Sequence, residues 1–166
     1  MARPIVWALG MLGAAGLSAV STGSVLSGRT APADPPTRMG AGGERLLVIA
    51  ADLRGHFMVH PSVGGTRLRM LVDTGASVVA LTHEDAARAG LRASSSDPVR
   101  RLQTANGVVE ARAVRVREMS VGDIVVRDVE AVVMPPGRLS TSLLGMSFLR
   151  RLKGFEVSSG RLTLRG

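Results

Sequence analysis

A chain of 166 residues, 45% hydrophobic, has room for one domain with a core of its own and gives no sign of a second. The absence of cysteine excludes disulfides, thiolate metal sites and a thiol nucleophile, and with 2% aromatic residues and no Tyr the core has to come from Val, Leu, Ile, Met and Ala. The net charge is +8, but the basic residues are neither clustered nor interleaved with stacking aromatics, which argues against nucleic-acid binding and leaves a basic surface suited to anionic lipid or acidic partners.

Residues 1–27 open with Arg3 and then run apolar from Ile5 to about Val20, interrupted by Gly and Ser. This pattern targets a membrane, either as a signal peptide cut near Ala19 and Ser21 or as an uncleaved anchor. Both forms place the rest of the chain outside the cytoplasm, on the periplasmic side. Residues 28–45, "GRTAPADPPTRMGAGGER", are rich in Pro, Gly and charge without an apolar period, and predict a flexible linker. The domain occupies residues 46–166.

Short apolar runs punctuated by turn signals predict a mostly β domain with short helices. "LLVIAAD" is followed by "HFMVHPSV", a Gly64-Gly65 turn and "TRLRMLV", a hairpin that delivers the chain into Asp73. After "SVVALT", "THEDAARAGL" predicts a short helix with Thr82 as N-cap, acidic residues in its first turn and Gly90 at its stop. Asn106-Gly107 and Gly122-Asp123 mark two further hairpins, "TSLLGMSFLRRL" an apolar pair, a Gly and a short amphipathic helix, and Ser159-Gly160 a last hairpin. His56, His60 and His83 are scattered, and "GHFMVHPSV" reads as extended, so no metal site is expected.

One carboxylate, Asp73, stands inside the apolar run "LRMLVDTGASVVALT". A buried, unpaired charge is costly and asks for a reason. Asp-Thr-Gly alone turns up by chance in roughly one chain of this length in fifty, so the triplet is weak and its setting between two apolar strands carries more. Gly75 lets the backbone turn and bring its N–H to the carboxylate, and the Thr74 hydroxyl can bond neighbouring main chain. On these residues a structural turn and a functional loop stand even.

The residues also carry a resemblance. "LVDTGAS" resembles the active-site loop of aspartic proteases, and "SLLGMSFLRRL" resembles their second signature, an apolar pair and Gly leading into a helix that packs under that loop. The likeness runs from about Asp52 to Leu164 and is similar in particular to bacterial retropepsin-like aspartic proteases (clan AA) with an N-terminal membrane segment; "GHF", "TANG" and "LLGMSFL" resemble phrases of that family.

What the resemblance implies is a retropepsin-like acid protease fold, a closed β-barrel with one half-site per chain. Asp73 is then the catalytic carboxylate, Thr74, Gly75, Ala76 and Ser77 complete the active-site loop, and Leu143, Leu144 and Gly145 support it from beneath. In such enzymes two Asp residues share a proton and hold a water, one acting as general base and the other donating to the peptide carbonyl. No other Asp here is followed by Thr-Gly or Ser-Gly, so the second carboxylate has to come from a second copy in a homodimer. Where pepsin-like sites place Ser or Thr, this chain has Ala76, which removes a hydrogen bond favouring the ionised pair and implies activity at mildly rather than strongly acidic pH. Thr104, Ala105, Asn106 and Gly107 form the tip of a candidate flap over a polypeptide substrate, a hairpin whose residues alone read equally well as an ordinary surface hairpin. The resemblance implies no cofactor and no metal. A reading of another class is the same fold serving as a binding or dimerisation module with little or no proteolysis.

Overall fold

In the computed structural model, which describes residues 34–104 and 107–166, the chain forms thirteen strands and two short helices. They are β1 Arg38–Met39, β2 Arg45–Ala50, β3 Met58–Val59, β4 Ser62–Val63, β5 Thr66–Arg67, β6 Met70–Val72, β7 Val79–Leu81, α1 His83–Arg88, β8 Val99–Thr104, β9 Gly107–Val121, β10 Ile124–Val133, β11 Ser142–Leu144, α2 Met146–Leu149, β12 Gly154–Ser158 and β13 Arg161–Arg165. The expected membrane segment 1–27, the first part of the linker, and Ala105 and Asn106 lie outside the described residues. No helix among the described residues is long and apolar enough to cross a membrane.

The strands make two sheets. The larger curls into a half-barrel and runs β3-β6-β11-β7-β10-β9-β4-β5, with β8 added on β9; the smaller runs β1-β2-β13-β12. Gly64 and Gly65 both have positive φ, 56° and 83°, which the tight β4–β5 turn requires. Thr82 caps α1 by accepting the Asp85 N–H at 3.0 Å, and Gly90, at φ 71°, lies just past the helix end.

Strand β11 lies between β6 and β7, parallel to the first and antiparallel to the second. The connection from β6 to β7, residues 73–78, therefore has to pass around the C-terminal end of β11. The main core fills the space beneath with Leu47, Leu68, Met70, Leu81, Met119, Leu144, Phe148, Leu149, Leu162 and Leu164, all fully buried. A second apolar cluster, Val78, Ala80, Val109, Ala111, Val132 and Met134, joins the stem of the β8–β9 hairpin to the start of β7.

Three sequence expectations change. "HFMVHPSV" is not one strand: Pro61 has no N–H to continue a ladder, and the chain exchanges partners there, β3 pairing with β6 and β4 with β9. The stretch read as linker, 28–45, is part of the fold from residue 34 onward. β1 pairs with β2, Thr37 Oγ1 accepts the Asp123 N–H at 3.2 Å, and the Asp34 carboxylate takes the His60 N–H at 2.8 Å and lies 3.3 Å from His60 Nδ1. Polar partners far along the chain order a segment that its composition marks as loose. Finally, α2 is four residues long with Ser147, Phe148 and Leu149 all buried, so it is embedded rather than amphipathic.

Candidate active site

β6 ends at Val72, and the Asp73 N–H continues the β6–β11 pairing by donating to Leu144 O at 3.1 Å. The chain then turns. Gly75 N–H donates to Asp73 Oδ1 at 2.8 Å, and Ala76 N–H to Asp73 O at 3.3 Å. The Gly75 N–H fixes the direction of the carboxylate, while the Ala76 N–H, bonded to the Asp73 main-chain carbonyl, closes the turn. Asp73 is half-exposed, not buried as the apolar run suggested, because it stands at the strand end where the loop leaves the sheet. Thr74, Gly75 and Ser77 are exposed and Ala76 is half-buried.

The loop is fastened from below by residues after β11. Met146 N–H donates to Ala76 O at 2.8 Å, and Ser147 Oγ accepts the Val79 N–H at 2.9 Å while donating to Glu130 O at 2.6 Å. One hydroxyl thus ties α2 to β7 and β10. Gly145 is buried, and a Cβ there would fall 2.2 Å from Val78 O and 2.8 Å from Ala76 O, so the loop lies directly on it. Leu144 belongs to the main core. Leu143 faces the other way, against the second cluster with Val78 and Ala80, so it flanks the loop rather than supporting it from beneath.

At the far end of β11, Ser142 Oγ accepts the Thr82 N–H at 3.0 Å and donates to Asp85 Oδ2 at 2.6 Å, which anchors α1 to the same strand. The candidate flap is a hairpin as expected: Thr104 pairs with Gly107, and Thr104 Oγ1 donates to Gly107 O at 2.7 Å. Ala105 and Asn106 lie outside the described residues. The hairpin's Leu102, Val109 and Ala111 share the second apolar cluster with Val78 and Ala80, so its stem abuts the chain leaving the Asp73 loop.

Sequence reasoning missed Ser142, Met146, Ser147 and Asp34; the one signal for the serines was polar side chains in the otherwise apolar frame "TSLLGMSFL". His60 pairs with Asp34 and His56 lies 3.8 Å from Asp52. No group of three or more His, Asp or Glu side chains is arranged to hold a metal among the described residues. Two concave regions, of ≈ 500 Å³ beside Leu91, Arg100 and Arg115 and of ≈ 340 Å³ beside Arg69, Asp85 and Leu139, do not include Asp73.

Comparison with known proteins bears on this geometry. Residues 59–151 match the family described as "gag-polyprotein putative aspartyl protease". Two curated relatives are an uncharacterized protein from the cobV 5′ region of Sinorhizobium sp, 42% identical over 74% of this chain and 53% of that protein, and an uncharacterized protein of Rickettsia prowazekii, 36% identical over 71% of this chain and 50% of that protein. The chain thus spans about half the length of the curated relatives it matches. A retropepsin-like aspartic protease from Rickettsia conorii superposes with a TM-score of 0.65 at 34% identity, covering 72% of this chain and 89% of that one. The EIAV protease, solved with an inhibitor, matches in fold with a TM-score of 0.54 at 20% identity, over 66% of this chain and all of that one.

Proposed function

The chain belongs to the retropepsin-like aspartic protease family, and on that premise we propose that it is an aspartic endopeptidase whose site is completed across a homodimer. The observation that carries this reading is the Asp73 loop: a half-exposed carboxylate directed by the Gly75 N–H, on a turn held against Gly145 and Ser147. Two such loops facing each other bring two carboxylates to one water, where like charges hold one proton between them. One Asp73 takes a proton from the water as it attacks the peptide carbonyl, and the other donates to the carbonyl oxygen. The β8–β9 hairpin, seated beside the loop through Val109 and Ala111, supplies the lid over an extended peptide.

The test uses the full chain and Asp73→Asn on an unstructured protein substrate, with and without a pepstatin-type inhibitor, from about pH 3 to about pH 7. Cleavage by the native chain that the inhibitor stops and Asp73→Asn lacks supports the reading. Equal cleavage by both chains removes Asp73 as the catalyst, and no cleavage by either at any of these pH values favours the non-proteolytic module. The apolar run at residues 5–20 supports placing the domain outside the cytoplasm, tethered or exported. Digestion of the domain by protease added outside the inner membrane is the expected result, and protection there opposes it.

A further inference from the structure

Basic residues that are scattered along the sequence are gathered by the fold at one end of the smaller sheet. There Arg38 of β1 stands opposite Leu46 of β2, Leu46 opposite Arg165 of β13, and Arg165 opposite Gly154 of β12. Four neighbouring strands span only about 14 Å. Met39 stands opposite Arg45, whose N–H donates to Gly166 O at 2.9 Å, and Lys153 N–H donates to Arg165 O at 3.0 Å. Arg150 and Arg151 come just before Lys153, on the turn that leaves α2, where Arg151 N–H donates to Phe148 O at 3.0 Å. Arg38, Arg45, Arg150, Arg151 and Lys153 are all exposed, and among the described residues none of them forms an ion pair. Glu44 and Glu156, the carboxylates beside them, are both taken by Arg165, at 3.9 and 3.4 Å. Like charges held together without counter-charge repel, so this end of the sheet asks for a partner that supplies negative charge.

Two observations favour a lipid surface over an acidic protein. Met39, an unbranched apolar side chain among these cations, is 70% exposed. Basic and apolar side chains on one face are the composition that settles at a headgroup layer. The second observation is where the chain enters. Asp34, docked on His60, lies just ahead of Arg38, and residues 21–33, which join it to the apolar run at 5–20, reach at most about 45 Å when extended. A membrane that takes up residues 5–20 is therefore within reach of this end of the sheet.

We propose that Arg38, Met39, Arg45, Arg150, Arg151 and Lys153 form a docking surface for anionic phospholipid, whose headgroups supply the missing counter-charge. This docking rests on the tether reading of residues 5–20 and is independent of proteolysis. Held in this way, the tethered domain turns a fixed side to the lipid.

Lys153 is the one lysine of the chain, so acylation of its amine by an uncharged reagent reads this surface directly. The full chain is mixed with vesicles of phosphatidylcholine alone, or of phosphatidylcholine with about one third phosphatidylglycerol. Flotation reports binding, and the mass of the peptide around Lys153 reports its acylation. With the anionic vesicles Lys153 is expected to react at least about fivefold more slowly than without vesicles, and to recover in about 0.5 M salt. With phosphatidylcholine alone its rate is expected to stay unchanged. Arg150→Gln/Arg151→Gln is expected to lose most of the slowing without a change in melting temperature. In Arg101→Lys, the lysine introduced on β8 of the other sheet is expected to react alike with and without vesicles. No slowing at Lys153 on anionic vesicles overturns the proposal, as does equal slowing on phosphatidylcholine or at the lysine of Arg101→Lys. Equal slowing by soluble polyglutamate assigns the surface to an acidic protein and overturns it too. Flotation with both lipids and no slowing at Lys153 leaves the tether and removes the docking surface; flotation with the anionic vesicles alone, with Lys153 slowed, keeps the docking surface and removes the tether.

Discussion

The Asp73 loop and the β8–β9 hairpin face the same apolar cluster and are built in opposite ways. The loop is short, wraps the end of β11, and is fixed at Asp73, Ala76 and Val79 by groups from β11 and α2. The hairpin is long, and among the described residues β8 pairs only with β9; four of the six β8 residues are exposed. Groups that act on a reacting bond need a fixed direction, whereas a segment that admits a peptide needs to open without unfolding the core. The difference teaches that stiffness here is local, and is supplied mostly by residues outside the Asp-Thr-Gly triplet.

Gly145 offers the hardest test of the stiff side. In Gly145→Ala the new methyl meets the carbonyls of Val78 and Ala76, both backbone, so no side chain can swing away. The expected cost exceeds about 4 kcal/mol, enough to prevent a soluble fold at moderate temperature. A variant that melts with the native protein breaks the comparison, since the loop would then not rest on this residue. Ser147→Ala is next in size. It leaves the Val79 N–H and the Glu130 carbonyl without their partner in a buried place, and about 2–4 kcal/mol of stability is expected to go. Urea denaturation measures it, and a loss below about 0.5 kcal/mol would mean that this hydroxyl is not a fastening of the loop.

The sequence makes the local features legible because their causes are local. Gly64-Gly65, Gly122-Asp123 and Ser159-Gly160 each sit at a turn whose backbone needs positive φ, and Thr82 caps the helix that follows it. Asp73 and Gly145 are recognisable because the triplet and the apolar pair before Gly stand in short stretches. What stays hidden depends on partners far along the chain: Asp34 with His60, Ser147 with Val79, Ser142 with Thr82. No pattern around Asp34 says that it will order a Pro- and Gly-rich segment. Nor does "HFMVHPSV" reveal which sheet neighbour each half takes; Pro61 shows only that a ladder must stop there.

Thr104→Val is the finest probe, because it removes one hydroxyl at nearly constant shape. Thr104 Oγ1 donates to Gly107 O, bridging the two strands where the hairpin turns. If the hairpin opens on its own, the bond matters to that opening and little to the whole fold. A few tenths to about 1 kcal/mol of global stability is then expected, together with faster amide exchange at Val108 and Gln103 and unchanged exchange at Val79. Should Thr104→Val instead lower global stability as much as Ser147→Ala, the hairpin tip would be part of the same cooperative unit as the loop. On the proposed reading, lid and catalytic platform would then have to move together, and substrate entry would require opening between two copies rather than within one.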